Sequence, residues 1–410
     1  MPKSYDIIIA GGGLVGASLA VALSGTGLRV SLVEAVEPGS DEQPSFDDRT
    51  IALSRSSKTI LDALGVWPAA CELAHPIQQI EISERGRFGT AVIDAREQGI
   101  ATLGYVIKSR ELGRVLWAAV QSAANVDVIC PGKITAVQHG EDEVQATVSA
   151  EQFNGELHGR LLAVCDGSRS AIREQLGVVA DIKPYGASAI IGNVAVGGAR
   201  EAGTAWERFT DEGPMAMLPG PDDRYTFVLT RRDDAVAEVL ELPDAEMLQL
   251  LQQTFGFRLG RFREIGRRFS YPLHLVRAGE ITAPRAAIIG NAAHGLHPVA
   301  GQGFNLGLRD VAALAEIVIG AAGGEGFDPG ADALLQSYSD WRAPDQRNVV
   351  RFTDGLIRLF DLPALGGARG LGLLGFDLLP GAKNALARYA MGQSGRQSRL
   401  ARGLPLGKSP

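Results

Sequence analysis

The run Tyr5-Asp6-Ile7-Ile8-Ile9-Ala10, followed at once by Gly11-Gly12-Gly13-Leu14-Val15-Gly16, restricts this chain more than any other stretch of it. A short isoleucine-rich run that ends on glycines reads as a buried parallel strand. Leu14 to Ser24 has helical content, and Arg29 to Glu34 reads as a second strand that ends in an acid. The unit is therefore βαβ with a GxGxxG loop. Gly11 allows the tight turn, Gly13 lets backbone approach a pyrophosphate, and Gly16 lets the helix lie close to the strand. The helix N-terminus offers free N–H groups and partial positive charge to phosphates. Glu34 stands where a carboxylate accepts hydrogen bonds from ribose hydroxyls and disfavours a 2′-phosphate. At this stage FAD and NAD both qualify.

With 410 residues the chain is too long for one ordinary core, so two domains are expected. Its net charge of −7 argues against a nucleic-acid partner. Cys71, Cys130 and Cys165 are far apart with no CxxC pair, and the six histidines lack zinc-ligand spacing, so no metal site is expected. Asp6 and the glycines interrupt the first apolar run, so it does not read as a secretion signal. No run reaches the roughly 20 apolar residues of a membrane-spanning helix. A cytoplasmic location, in part peripheral to the inner membrane, is the expectation.

Two further segments separate the dinucleotides. Leu161 to Cys165 is another apolar strand, followed by Asp166-Gly167-Ser168-Arg169-Ser170 and then Arg173. The third segment runs from Ala286 through Gly290-Asn291-Ala292-Ala293-His294 to His297-Pro298-Val299-Ala300-Gly301-Gln302-Gly303-Phe304-Asn305. Its proline and glycines permit an extended backbone to pass close to a flat ligand. The helix that starts near Gly303 aims its N–H groups at negative charge. A reduced flavin is anionic at its pyrimidine end, which such a helix end stabilises.

These three segments, in this order, resemble the class A flavin monooxygenases, the aromatic hydroxylases related to p-hydroxybenzoate hydroxylase. Asp48-Arg49-Thr50-Ile51-Ala52-Leu53, Glu207-Arg208-Phe209-Thr210 and Gly213-Pro214-Met215-Ala216-Met217-Leu218-Pro219 are similar to the ubiquinone-biosynthesis branch. Asn291 stands where the wider family has aspartate, and resembles the 2-octaprenyl-6-methoxyphenol hydroxylase type. Ala187 and Leu229 replace the branch's glutamine and tryptophan on the expected substrate sheet.

The resemblance implies an α/β fold with a discontinuous Rossmann-like FAD-binding domain from residues 1–75, 100–180 and 270–350. An inserted β-sheet substrate domain would comprise 76–99 and 181–269, with a helical C-terminal region over 351–410. It implies a monooxygenase that hydroxylates a polyprenylated phenol, 2-polyprenyl-6-methoxyphenol at C1, with O₂ and with NADPH or NADH as transient co-substrate. FAD would be held by Gly11, Gly13, Gly16, Glu34, Arg110, Asn291, Pro298, Gly301, Gln302, Gly303 and Asn305. Arg49, Asp166 and Arg173 would make the transient nicotinamide contact. His297 is a weak choice of catalytic base, His294 reads as structural and Tyr271 is no better supported, so the base stays unassigned. A flavin-dependent oxidase or dehydrogenase and a non-catalytic flavoprotein subunit remain as alternatives. The apolar stretch Gly355 to Ala382 reads as helices packing over the flavin domain, or as a patch for a membrane or for other ubiquinone-biosynthesis proteins.

Overall fold

The computed structural model describes residues 3–40, 43, 49–198, 203–296, 301–361 and 380–407. Lys3–Ala10 forms the expected first strand, and its isoleucines are almost fully buried. It lies in a parallel array between Val30–Val33 and Asn154–Val164, which are flanked by Val126–Ile129 and Ala286–Ile288. Antiparallel strands Gly132–His139 and Val144–Ala150 extend the middle of this sheet. Helices Leu14–Ala22, Ser109–Gln121 and Gln302–Ala321 pack together over it, their apolar residues in one continuous core with the strands.

Among the described residues the second sheet has nine strands and is mixed. Ala180–Gly197, Arg224–Arg232, Met215–Pro219 and Thr204–Phe209 pair antiparallel in that order, and Thr204–Phe209 then runs parallel to Gln79–Glu84. Phe269–Ala278, carrying Tyr271, pairs with Ala180–Ile191 and so lies in this sheet throughout. One face packs on the helix Asp244–Phe255 through Trp206, Met215, Met217, Phe227 and Leu229. Leu229 therefore belongs to the outer core, and its departure from the branch pattern alters packing there rather than the opposite face. A small antiparallel sheet, Thr50–Ser54, Gly104–Lys108 and His75–Ile77, lies between the two large ones. Helices Asp332–Asp361 and Pro380–Ala390 make the expected helical C-terminal part. Residues 362–379 of the apolar stretch lie outside the described residues.

Candidate functional site

Parallel pairing brings the chemistry to one edge. The registers Ala10↔Val33, Ala10↔Val164 and Val164↔Ile288 place Glu34, Gly11, Cys165 and Ile289 side by side at the carboxyl ends of four adjacent strands. The crevice outside the carboxyl ends of such strands is where open α/β sheets bind ligands. Gly11 has φ +97°, and a Cβ there would lie 2.7 Å from the Cys165 carbonyl oxygen. A Cβ at Gly16 would lie 1.8 Å from the Gly11 carbonyl oxygen, so neither position admits a side chain. Gly13 is the N-cap of the helix Leu14–Ala22 and makes no side-chain cap, leaving the first-turn N–H groups facing this edge.

Glu34 is buried, and its carboxylate accepts from Gly12 N (2.5 Å), Val36 N (2.9 Å) and Gln43 Nε2 (3.2 Å). The carboxylate thus orders the glycine loop from one side. From the other, Trp117 Nε1 donates to the Gly12 carbonyl at 2.9 Å. Trp117 was not foreseen, since its only signal is an apolar position on the buried face of the helix Ser109–Gln121.

Asp166 lies two residues beyond the strand Asn154–Val164. Its Oδ2 takes a long bond from Ile172 N (3.4 Å), while Oδ1 is buried without a partner. Burial pushes its carboxyl above the ordinary range, against hydrogen bonds from Ser170 and the Ile172 backbone. A buried acceptor left open beside the glycine loop fits a ligand hydroxyl. Arg173, by contrast, is 1% exposed and donates to the carbonyls of Ser168 (3.3 Å) and Ala292 (2.9 Å). It ties the Asp166 turn to the Gly290–Ala292 turn.

Around residue 290 a buried polar hub appears. Asp310 Oδ2 bonds His294 Nε2 at 2.6 Å and accepts from Gly290 N at 3.3 Å, while Oδ1 accepts from Arg342 Nε (2.8 Å) and Gln346 Nε2 (3.0 Å). Burial alone would raise the Asp310 carboxyl, but Arg342 and His294 outweigh it and hold it far below its usual range. His294 is buried, with Nε2 on Asp310 and Nδ1 without a partner. Asn291, in the same turn, is exposed.

Gly301 has φ +59° and caps the helix Gln302–Ala321, its Cα pressed so close to Ala52 that an added Cβ would stand 2.9 Å from the Ala52 Cβ. Gln302 is buried and Gly303 half-buried with open space before it. Asn305 lies one turn into the same helix. Its Oδ1 accepts from Ser54 N (2.9 Å) and Ser57 Oγ (2.7 Å), and its Nδ2 donates to Ala52 O (2.8 Å) and Gly301 O (2.7 Å). Both acceptor sites and both N–H groups of the amide are used, so the side chain ties strand to helix.

Arg49 continues the strand Thr50–Ser54. Its carbonyl accepts from Ser109 N at 2.7 Å, which places the exposed Arg110 beside it. The Arg49 guanidinium lies 4.5 Å from the centre of the Tyr271 ring, a cation–π contact that reaches the nine-stranded sheet. Pro298 and His297 lie outside the described residues.

Comparison with known proteins agrees with this geometry. The FAD binding domain family matches residues 4–353. The chain is 37% identical to the ubiquinone hydroxylase UbiL of Rhodospirillum rubrum, over 98% of this chain and 94% of that protein. It is 32% identical to the 3-demethoxyubiquinol 3-hydroxylase of Escherichia coli, over 94% of this chain and 98% of that one. Among solved structures it shares the fold of the p-nitrophenol 4-monooxygenase PnpA from Pseudomonas putida, with a TM-score of 0.78 at 19% identity over 97% of this chain and 100% of that chain.

Proposed function

The chain belongs to the FAD-binding family of flavoprotein monooxygenases, among the ubiquinone hydroxylases, and from that premise we propose that it hydroxylates a polyprenylated phenol. The observation that supports the site assignment is the alignment of Glu34, Gly11, Cys165 and Ile289 along one edge, with an open acceptor on the adjoining Asp166. FAD, bound there and reduced by NADPH or NADH, supplies the activation of O₂ that ring hydroxylation requires. Gly11, Gly13 and Gly16 give the pyrophosphate close backbone and the helix N-terminus. Glu34 keeps the loop in shape and receives the adenosine ribose on its remaining acceptor site. Asp166 takes a flavin-side hydroxyl on Oδ1. Asn291 would contact the ribityl or phosphate portion, and Gly301, Gln302 and Gly303 would line the ring, with the N–H groups of Gln302 and Gly303 toward its anionic end.

Arg49 would meet the nicotinamide co-substrate, and Arg110, beside it, would reach the FAD. The ring position proposed is C1, on the strength of Asn291. An insoluble prenyl tail needs a lipid route, so peripheral membrane contact and association with other ubiquinone-biosynthesis proteins are part of the proposal. Among the described residues no helix is long and apolar enough to cross a membrane. The test supplies the purified FAD-loaded protein with NADH or NADPH, ¹⁸O₂ and a short-chain 2-prenyl-6-methoxyphenol. One ¹⁸O atom at C1 is expected. Label at another ring carbon overturns the position, and no uptake of O₂ on addition of the phenol overturns the reaction.

A further inference from the structure

A cavity of about 490 Å³ opens among the helices Gln302–Ala321, Asp332–Asp361 and Pro380–Ala390, with Arg309, Trp341, Asp345, Tyr389 and Arg396 in its wall. None of its lining residues belongs to the glycine loop, the Asp166 turn or the segment Gly301 to Gly303. It is therefore distinct from the edge where the flavin residues gather.

The wall is built around one shared carboxylate. Asp345 Oδ1 accepts from Arg309 Nη1 (3.0 Å) and Oδ2 from Arg342 Nη1 (2.7 Å), so both of its oxygens are committed. Arg309 is 8% exposed, and burial outweighs Asp345, which pushes the guanidinium below the ordinary arginine range. Arg309 Nε is buried without a hydrogen-bond partner, and so is the hydroxyl of Tyr389, whose ring stacks 4.1 Å from Phe352. The two are near neighbours, since Arg309 opposes the rise that burial imposes on the Tyr389 hydroxyl. The exposed Arg396 lies over the Trp341 ring, 3.8 Å from its centre, and among the described residues has no carboxylate partner. Asp340, the other acid of the wall, is exposed and already accepts from Gln336 Nε2 (2.8 Å).

Two open donors and one unpaired cation thus border a single space. Buried donors normally find an acceptor, and an anionic acceptor also offsets the burial of Arg309. A chain of buried bonds leads from here to the flavin turn. Arg342 shares Asp345 with Arg309, its Nε holds Asp310, and Asp310 accepts from Gly290 N.

We propose that this cavity is an effector site for a small oxyanion, a carboxylate or phosphate, held by Arg309 Nε, the Tyr389 hydroxyl and Arg396. An anion on Arg309 competes with Asp345, which turns more fully to Arg342 and draws it from Asp310. The Gly290–Ala292 turn loses part of its support, and FAD binds more weakly. By linkage FAD weakens the anion by the same factor.

The experiment titrates wild type, Tyr389→Phe and Arg396→Gln with sodium phosphate and with sodium benzoate, by calorimetry at one pH and constant ionic strength. FAD affinity is then measured with and without the anion. Saturable binding of one anion or both by wild type is expected, roughly tenfold weaker in each variant. The FAD Kd should rise about fivefold when the site is filled. Phosphate alone or benzoate alone identifies which oxyanion the site takes, and either supports the proposal. Unchanged circular dichroism and unchanged FAD affinity without anion identify sound variants. If neither anion binds saturably, or both variants bind as wild type does, the site is refuted. Binding that leaves the FAD Kd unmoved overturns the effector role.

Discussion

Replacing Asp310 by asparagine tests whether the buried hub holds the flavin-side turn in place. The carboxylate is fully buried and Arg342, 2.8 Å away, is 2% exposed. Asparagine keeps one acceptor and turns an N–H₂ group toward donors that have no use for it. Removing one partner of a buried ion pair costs about 3–5 kcal/mol, because the other charge stays desolvated. Asp345 still holds Arg342 Nη1 at 2.7 Å, which favours the lower end. With an unfolding entropy of about 2.1 cal/mol/K per residue, the 410 residues give about 0.9 kcal/mol/K, so the midpoint should fall by about 3–6 °C. Differential scanning calorimetry at a fixed scan rate on the apoprotein reads this shift. The double variant Asp310→Asn with Arg342→Met removes both charges and should lose less than the sum of the two single variants. A fall below 1 °C, or strictly additive losses, would refute the coupling drawn here.

Three other outcomes concern the same buried groups. Because the Asp310 carboxyl sits far below its ordinary range, its stabilisation is present above about pH 4 and is lost as pH falls. The wild-type midpoint should therefore drop more steeply than that of Asp310→Asn below about pH 4, and parallel curves would contradict the assignment. Asp166 is the opposite case. Burial raises its carboxyl, so the ionised form costs stability in the apoprotein at neutral pH. Asp166→Asn should raise the apoprotein midpoint while weakening FAD binding about tenfold by equilibrium titration; an unchanged Kd would remove Asp166 from the cofactor site. Asn305→Ala should lower the apoprotein midpoint by about 2–4 °C, since two buried and two part-buried hydrogen bonds lose their partner. A variant that loses FAD affinity with an unshifted apoprotein midpoint would mark Asn305 as a direct contact.

What the sequence determined by itself was local. The strand, the glycine turn and the helix after it follow from hydrophobic period and from glycine, because Gly11 and Gly16 tolerate no side chain within a dozen residues of chain. Glu34 was legible for the same reason, as the end of the next strand. Tertiary structure decided everything that depends on which partner a side chain meets across a long separation. Asp166 came to the glycine loop only because Asn154–Val164 pairs in parallel with Lys3–Ala10. Arg173 and Asn305 looked like polar groups available to a cofactor, yet long-range packing buried both among carbonyls and hydroxyls that needed partners. Leu229 and Glu207 lie two strands apart, with Met215–Pro219 between them, and read alike as substrate-sheet positions, but pleating sends one into the outer core and the other to the opposite face. Burial is a property of the assembled faces, and a single chain position carries no record of it until the sheet has closed over its neighbours.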